Sequence, residues 1–247
     1  MNLPSPRRIR VGVFSTYFPE YRDAVFARLS RYPEFEFTFL AGPPPAGSFI
    51  RGSATQPYAY RSISVLRFPI PGTHNEIHYC RGQISALLLR RYDVLILTND
   101  VLAPDDWLCC LLSRFLRVPV CIWGQGMSRP PSRFRNALRY ALTSLATAAL
   151  YYTEGGRQYW ARRGIAPQKL FVAYNALDTD QQIAIRDRLT PGDLSSFLEA
   201  RGLAGKKVVT CVGRLVPIKK PDVFIDVVAW TLEREPSLVG VLIGDGP

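Results

Sequence analysis

Two cations follow a glycine in the stretch Gly213-Arg214-Leu215-Val216-Pro217-Ile218-Lys219, directly after the β-branched run Val208-Val209-Thr210-Cys211-Val212. Arginine offers a planar fork of donors to phosphate oxygens, and lysine adds a compact positive charge. A helix expected to begin near Lys220-Pro221-Asp222 adds free backbone N–H groups and the positive end of its dipole. Together these groups could hold a diphosphate. The alternative is a loop of solvated cations, which suits Lys219 and Lys220 better than Arg214. A second strand, 239–243, ends in Gly244-Asp245-Gly246-Pro247.

Other strand ends also carry polar groups. The first strand, 9–15, leads into Ser15-Thr16-Tyr17-Phe18-Pro19-Glu20-Tyr21-Arg22-Asp23. Without a G-x-G-x-x-G this loop is no dinucleotide fingerprint. Thr16, Tyr17 and Arg22 can meet an acceptor there, or the segment can simply open a helix with acidic residues suited to its dipole. Asn99 and Asp100 end the strand 93–98, whereas Asp105 reads as first-turn dipole chemistry. Gly124-Gln125-Gly126 follows the strand 118–123, either for close backbone approach to a ligand or as a plain tight turn. His74 and His78 have helical spacing, but no third metal ligand accompanies them, and surface histidines near a helix cap are the better reading.

The elements that must position these residues alternate. Strands are expected at 9–15, 35–41, within 58–70, 93–98, 118–123, 148–153 and 170–174. Helices are expected at 21–31, 77–91 (with Ile84, Leu87, Leu88 and Leu89 inward), 104–116, 131–147 and 154–163. Strands separated by helices of this length form right-handed β-α-β units and a doubly wound parallel sheet, with ligands at the carboxyl ends of strands. The expected organisation is an α/β chain with one complete Rossmann-like domain (1–175), a polar helical linker (176–206) and the first β-α-β of a second domain (207–247).

Composition narrows the partners. Of 31 Lys and Arg, 22 lie in residues 1–170 against 10 of the 20 acidic residues, so the positive charge is concentrated there. Nucleic acid, an anionic membrane and phosphorylated substrates all fit such a balance. Arginines spread singly or in pairs argue against nucleic acid. The longest apolar run, 107–123, is broken by Ser113, Arg114, Arg117 and Pro119, so no membrane span is expected. The N-terminus shows no signal-peptide core, which makes a cytoplasmic location the expectation. Five cysteines without a CxxC read as free thiols. In 133–139 and the residues after it, Phe134, Leu138, Leu142 and Leu145 either press on a membrane or belong to the core.

In its second half the sequence resembles the retaining glycosyltransferases of the GT-B fold, family 4. The family's second domain opens with Gly-Arg-Leu-x-x-x-Lys-Gly, here Gly213-Arg214-Leu215-Val216-Pro217-Ile218-Lys219-Lys220, and some thirty residues later has Gly-Asp-Gly-Pro, here Gly244 to Pro247. Its inter-domain junction resembles the segment from Gly164 through Asn175-Ala176-Leu177-Asp178. The resemblance implies a GT-B-like fold and transfer of a sugar, with retention, from a nucleotide-diphosphate sugar and without a required metal or other cofactor. Arg214 and Lys219 would bind the diphosphate and stabilise the charge developing on the leaving group, with Gly213, Gly244, Asp245 and Gly246 on the donor side. A saccharide or lipid-linked acceptor would sit over the N-terminal strand ends, in cell-envelope or exopolysaccharide synthesis. The chain departs from the family pattern at Ile218, Lys220, Ala176 and Gln125. The family's paired glutamates do not appear, so the expectation is a chain that stops within the donor domain and has little transferase activity alone. The competing readings are a non-enzymatic binding module and a GT-B-like nucleotide-sugar epimerase.

Overall fold

A computed structural model describes residues 7–45, 57–73, 75–127 and 132–246. The chain divides into two compact units, the first closing at Asp178 and the second running from Thr179.

The first unit is built on a seven-stranded parallel sheet. Strands β1 (Ile9–Ser15), β2 (Phe35–Ala41), β3 (Tyr60–Ser62), β6 (Val94–Thr98), β7 (Val120–Gly124), β8 (Ala148–Tyr151) and β9 (Leu170–Val172) lie in the order β3-β2-β1-β6-β7-β8-β9. Side chains alternate between the faces, so each central strand feeds two cores. Val11 and Val13 of β1 join Phe18, Phe26, Phe39 and Tyr58 on one face. Phe14 joins Leu95, Leu97, Val120, Ile122, Leu142 and Trp160 on the other. Helices α1 (Asp23–Leu29), α2 (Gln83–Leu88), α3 (Pro104–Leu116), α4 (Arg133–Leu145) and α5 (Glu154–Ala161) make the crossovers. Strand order reverses between β1 and β6, which is where an open α/β sheet parts its loops to receive a ligand.

Two expectations are corrected here. The stretch 58–70 holds two strands, β3 and β4 (Val65–Pro69). The stretch 77–91 is not one helix. Its first part forms β5 (Glu76–Cys80), which pairs antiparallel with β4, Val65 opposite Cys80 and Pro69 opposite Glu76. Gly82, at φ +90°, turns the chain into the short α2. The β-branched and aromatic residues Ile77 and Tyr79 suit a strand as well as a helix, and the partner strand decided the outcome. Leu87 is buried and Ile84 packs on the core, but Leu88 and Leu89 face solvent rather than inward. His78 is therefore a buried strand residue and no cap histidine, and its partner His74 lies outside the described residues. All five cysteines are free; Cys80, Cys109 and Cys110 are buried, Cys121 and Cys211 half-buried. Helix α4 turns Leu142 fully inward and packs Leu145 on the core, so only Phe134 of the four suggested membrane residues is well exposed.

The second unit contains helices α6 (Thr179–Arg188) and α7 (Pro191–Ala200), strand β10 (Lys207–Val212), helix α8 (Pro221–Leu232) and strand β11 (Leu238–Ile243). Thr190 and Asp193 cap α7 reciprocally, each side chain bonding the other's backbone. Strands β10 and β11 pair in parallel from Lys207–Leu238 to Val212–Ile243. Gly240 lets α8 lie against β11, because a Cβ there would meet Val228 at 2.7 Å. None of the described residues in this unit is buried.

Candidate functional site

In the second unit, Gly213 ends β10 at φ +154°, a conformation that side-chain-bearing residues rarely adopt. The chain then makes a short 3-10 turn, Pro217–Lys219, and α8 starts at Pro221. The loops after β10 and β11 are zipped together. Gly213 N donates to Ile243 O and Leu215 N to Asp245 O, both at 2.9 Å. A Cβ on Gly244 would collide with the Gly213 carbonyl oxygen, and one on Gly246 with that of Leu215. These two glycines are thus explained by backbone approaching backbone. Asp245 uses one carboxylate oxygen on the Gly246 N–H. Arg214 and Lys219 are exposed, and among the described residues neither has an ion pair or a side-chain hydrogen bond. The loop therefore presents two uncommitted cations beside the first turn of a helix.

In the first unit, Arg22 is the hub. It sits in the 3-10 turn Glu20–Arg22 after β1, and its guanidinium lies 4.3 Å from the Trp123 ring centre and 5.4 Å from that of Tyr152. Nη2 donates to the Tyr152 hydroxyl at 2.9 Å and to Asn175 Oδ1 at 3.0 Å. One side chain thus joins the loop after β1 to residues at the ends of β7, β8 and β9. Trp123, Tyr152 and Asn175 were not singled out from sequence as site residues. The legible signal was an aromatic or amide residue standing at or just beyond each strand end.

Asn99, Trp123 and Arg22 share a further property. Both amide atoms of Asn99, Nε1 of Trp123 and Nε of Arg22 are buried without a hydrogen-bond partner among the described residues. A buried polar group left unpaired costs about 1–3 kcal/mol, so several at neighbouring strand ends need a reason such as a ligand or bound water. Asp100 is otherwise engaged: its Oδ1 accepts from Leu102 N at 2.9 Å and fixes the loop before α3. Thr16 and Tyr17 offer backbone carbonyls to Arg67 and Ser15 respectively. Gly124 and Gly126 make room for protein, since a Cβ on Gly124 would lie 2.9 Å from Asn99 Cβ and one on Gly126 2.9 Å from the Tyr151 ring. Gly126 O also accepts from Trp160 Nε1 at 2.7 Å. Gln125 between them is exposed and lines a depression of about 390 Å³ with Met127, Tyr152, Thr153, Tyr174 and Asn175.

The Asp105–Asp106 pair is not simple dipole chemistry. Both carboxyls are buried. Asp106 accepts from Gln83 Nε2 at 2.8 Å and from Thr98 Oγ1 at 2.9 Å, and Asp105 accepts from Cys80 N at 2.8 Å. Burial raises the Asp105 pKa, and burial together with the neighbouring Asp105 raises that of Asp106 well above the usual range. Among the described residues no three His, Cys, Asp or Glu side chains gather into a cation site.

The fold is GT-B-like. HepE of Anabaena, solved in complex with UDP, superposes over 97% of this chain and 61% of its own, with a TM-score of 0.64 at 16% identity. The UDP-GlcNAc 2-epimerase of Neisseria meningitidis, bound to UDP-GlcNAc, covers 96% of this chain and 65% of its own, with a TM-score of 0.51 at 11% identity. No protein-family model matches the chain. In sequence, 64 residues are 42% identical to a D-inositol 3-phosphate glycosyltransferase of Actinosynnema mirum, and 62 residues are 42% identical to the enzyme of that name from Rhodococcus erythropolis. These matches cover 24% of this chain and 15% and 14% of the two relatives. No helix among the described residues is long and apolar enough to cross a membrane.

Proposed function

We propose that the chain belongs to a retaining, family 4-like glycosyltransferase that takes a sugar from a nucleotide-diphosphate donor. The observation that carries this reading is the pair of uncommitted cations, Arg214 and Lys219, after the glycine that ends β10. Their fork and point charge suit a diphosphate, and α8 adds N-terminal backbone donors. Arg214 and Lys219 bind the diphosphate and stabilise the negative charge that grows on it as the glycosidic bond breaks, with no nucleophilic residue required. The acceptor, a saccharide or a lipid-linked saccharide of envelope or exopolysaccharide synthesis, is placed over the first unit's strand ends. There Asn99, Gln125 and the faces of Tyr152 and Tyr174 supply hydrogen bonds and stacking area. The local identity to two curated glycosyltransferases supports transfer, and the UDP bound by HepE supports the donor class.

The test is saturation-transfer NMR of UDP and UDP-glucose with this chain, set against Arg214→Ala and Lys219→Ala. Each substitution removes charge-assisted bonds of about 1.5–3 kcal/mol and should weaken binding at least tenfold. Equal binding by all three proteins would refute the donor assignment. Where transfer is measured, an unchanged anomeric configuration in the product checks retention. An epimerase is the second reading, favoured by the fold likeness to the Neisseria enzyme. Conversion of UDP-GlcNAc to its C2 epimer without any acceptor would select it.

A further inference from the structure

Helix α3 carries apolar residues on two faces. Its buried face carries Asp105, Asp106, Cys109, Cys110 and Ser113. Its solvent face carries Leu108, Leu111 and Phe115, which are 39%, 46% and 78% exposed. Their spacing of three and four residues places them on one stripe. A surface helix ordinarily turns its apolar stripe to the core. Here Trp107, Leu112 and Leu116 pack on the core beside Cys109 and Cys110, the buried Asp106 is held by Gln83 and Thr98, and a second apolar stripe is left outside. The end of α2 continues it. Leu88 and Leu89 are 51% and 63% exposed, and Arg90 Nη2 donates to Leu116 O at 3.1 Å, holding the last turns of α2 and α3 side by side.

The exposed charges on α3 itself are basic, as is Arg90 at the end of α2. Arg90, Arg114 and Arg117 are exposed, and the acidic residues of α2 and α3 are only Asp105 and Asp106, both buried. We propose that the outer face of α3 with the end of α2 docks on an anionic lipid surface. A bilayer supplies an apolar interior for Leu108, Leu111 and Phe115 and anionic headgroups for the arginines. A second copy of the chain related by a two-fold axis would set these arginines against their own kind with no acidic partner on the face, a repulsive arrangement. The proposal does not depend on the donor chemistry proposed for the second unit.

Sedimentation with vesicles of phosphatidylglycerol and phosphatidylcholine, compared with phosphatidylcholine alone, tests it. The chain should bind the anionic vesicles and release as ionic strength rises. The triple variant Leu108→Ser, Leu111→Ser, Phe115→Ser should bind at least tenfold more weakly while keeping the circular-dichroism spectrum of the folded chain. Arg114→Glu with Arg117→Glu should also weaken binding at least tenfold. Val212→Ser with Ile218→Ser, in the exposed apolar part of the second unit, should leave binding unchanged. The proposal is overturned if the wild-type chain ignores anionic vesicles, or if the α3 variants bind as it does. It also fails if the wild-type chain self-associates without vesicle binding and the triple variant is monomeric, which would assign the face to a second copy.

Discussion

Arg22 shows how a candidate binding residue can be stiffened before any ligand arrives. Its guanidinium is stacked on Trp123 and donates to Tyr152 and Asn175, which fixes the side-chain torsions that would otherwise be lost on binding. Removing it should cost stability as well as affinity. Arg22→Ala forfeits two hydrogen bonds and a cation–π contact and should lower stability by about 1–3 kcal/mol. Arg22→Lys should recover less than half of that, because lysine lacks the planar fork that meets two acceptors from one stacked position. Thermal melts of the three proteins at one pH and salt concentration check this, and a lysine variant as stable as the parent would show that charge alone matters.

Among the elements, α3 was legible in sequence to the residue, yet its orientation was not. Pro104 at its first turn and the αL residue Arg117 after it mark both ends. The sequence reading placed Asp105 at the helix start for its dipole. In fact Asp105 and Asp106 are the core side of the helix, pinned to β5, α2 and β6 by Cys80, Gln83 and Thr98. No periodicity argument finds that, because it depends on β5, whose residues also fit the spacing of a helix. Strands β1 and β2 were legible because seven apolar or alternating residues fill a central strand regardless of context; β5 needed its partner β4 to be recognised. The buried carboxyls have a consequence with a definite sign. A carboxyl whose pKa is raised by folding holds its proton more tightly in the native state, so its stabilising contribution is complete below the unfolded value and is lost as pH rises through the folded one. Stability should therefore climb as pH is lowered toward the ordinary carboxylate range. Asp93 does not interfere in that window: Arg10 holds it down to about 2, so its contribution survives until the pH falls below the ordinary carboxylate range. Asp106→Asn, a neutral near-isostere, should flatten the slope measured by melting temperature against pH. A variant as steep as the parent would mean that Asp106 is ionised in the native protein.

At the scale of the whole molecule, the two units differ in what holds them. The first has two cores around a seven-stranded sheet, with Trp160, Tyr151, Phe26 and Phe39 fully enclosed. The second pairs two parallel strands with three helices and encloses none of its described residues, leaving Val212, Trp230 and Ile243 at least half exposed. Two strands with one covered face are marginal on their own. Local opening governs where proteases cut when reclosing is fast, so cleavage should report this contrast. Trypsin should act first at Arg186, Arg188, Arg201 and Lys206, all exposed in or beside α6 and α7. Mass spectrometry should then find a resistant product that contains β6 through β9 and ends between Arg186 and Lys206. UDP-glucose at about ten times its Kd should slow loss of the second unit about tenfold, because a ligand held by the native loop after β10 lowers the open population by that factor. A second unit that outlasts the first without ligand would show that its apolar faces are covered in solution. Survival unaffected by UDP-glucose would separate the fold from the donor assignment, leaving the β/α architecture intact and Arg214 and Lys219 without their proposed ligand.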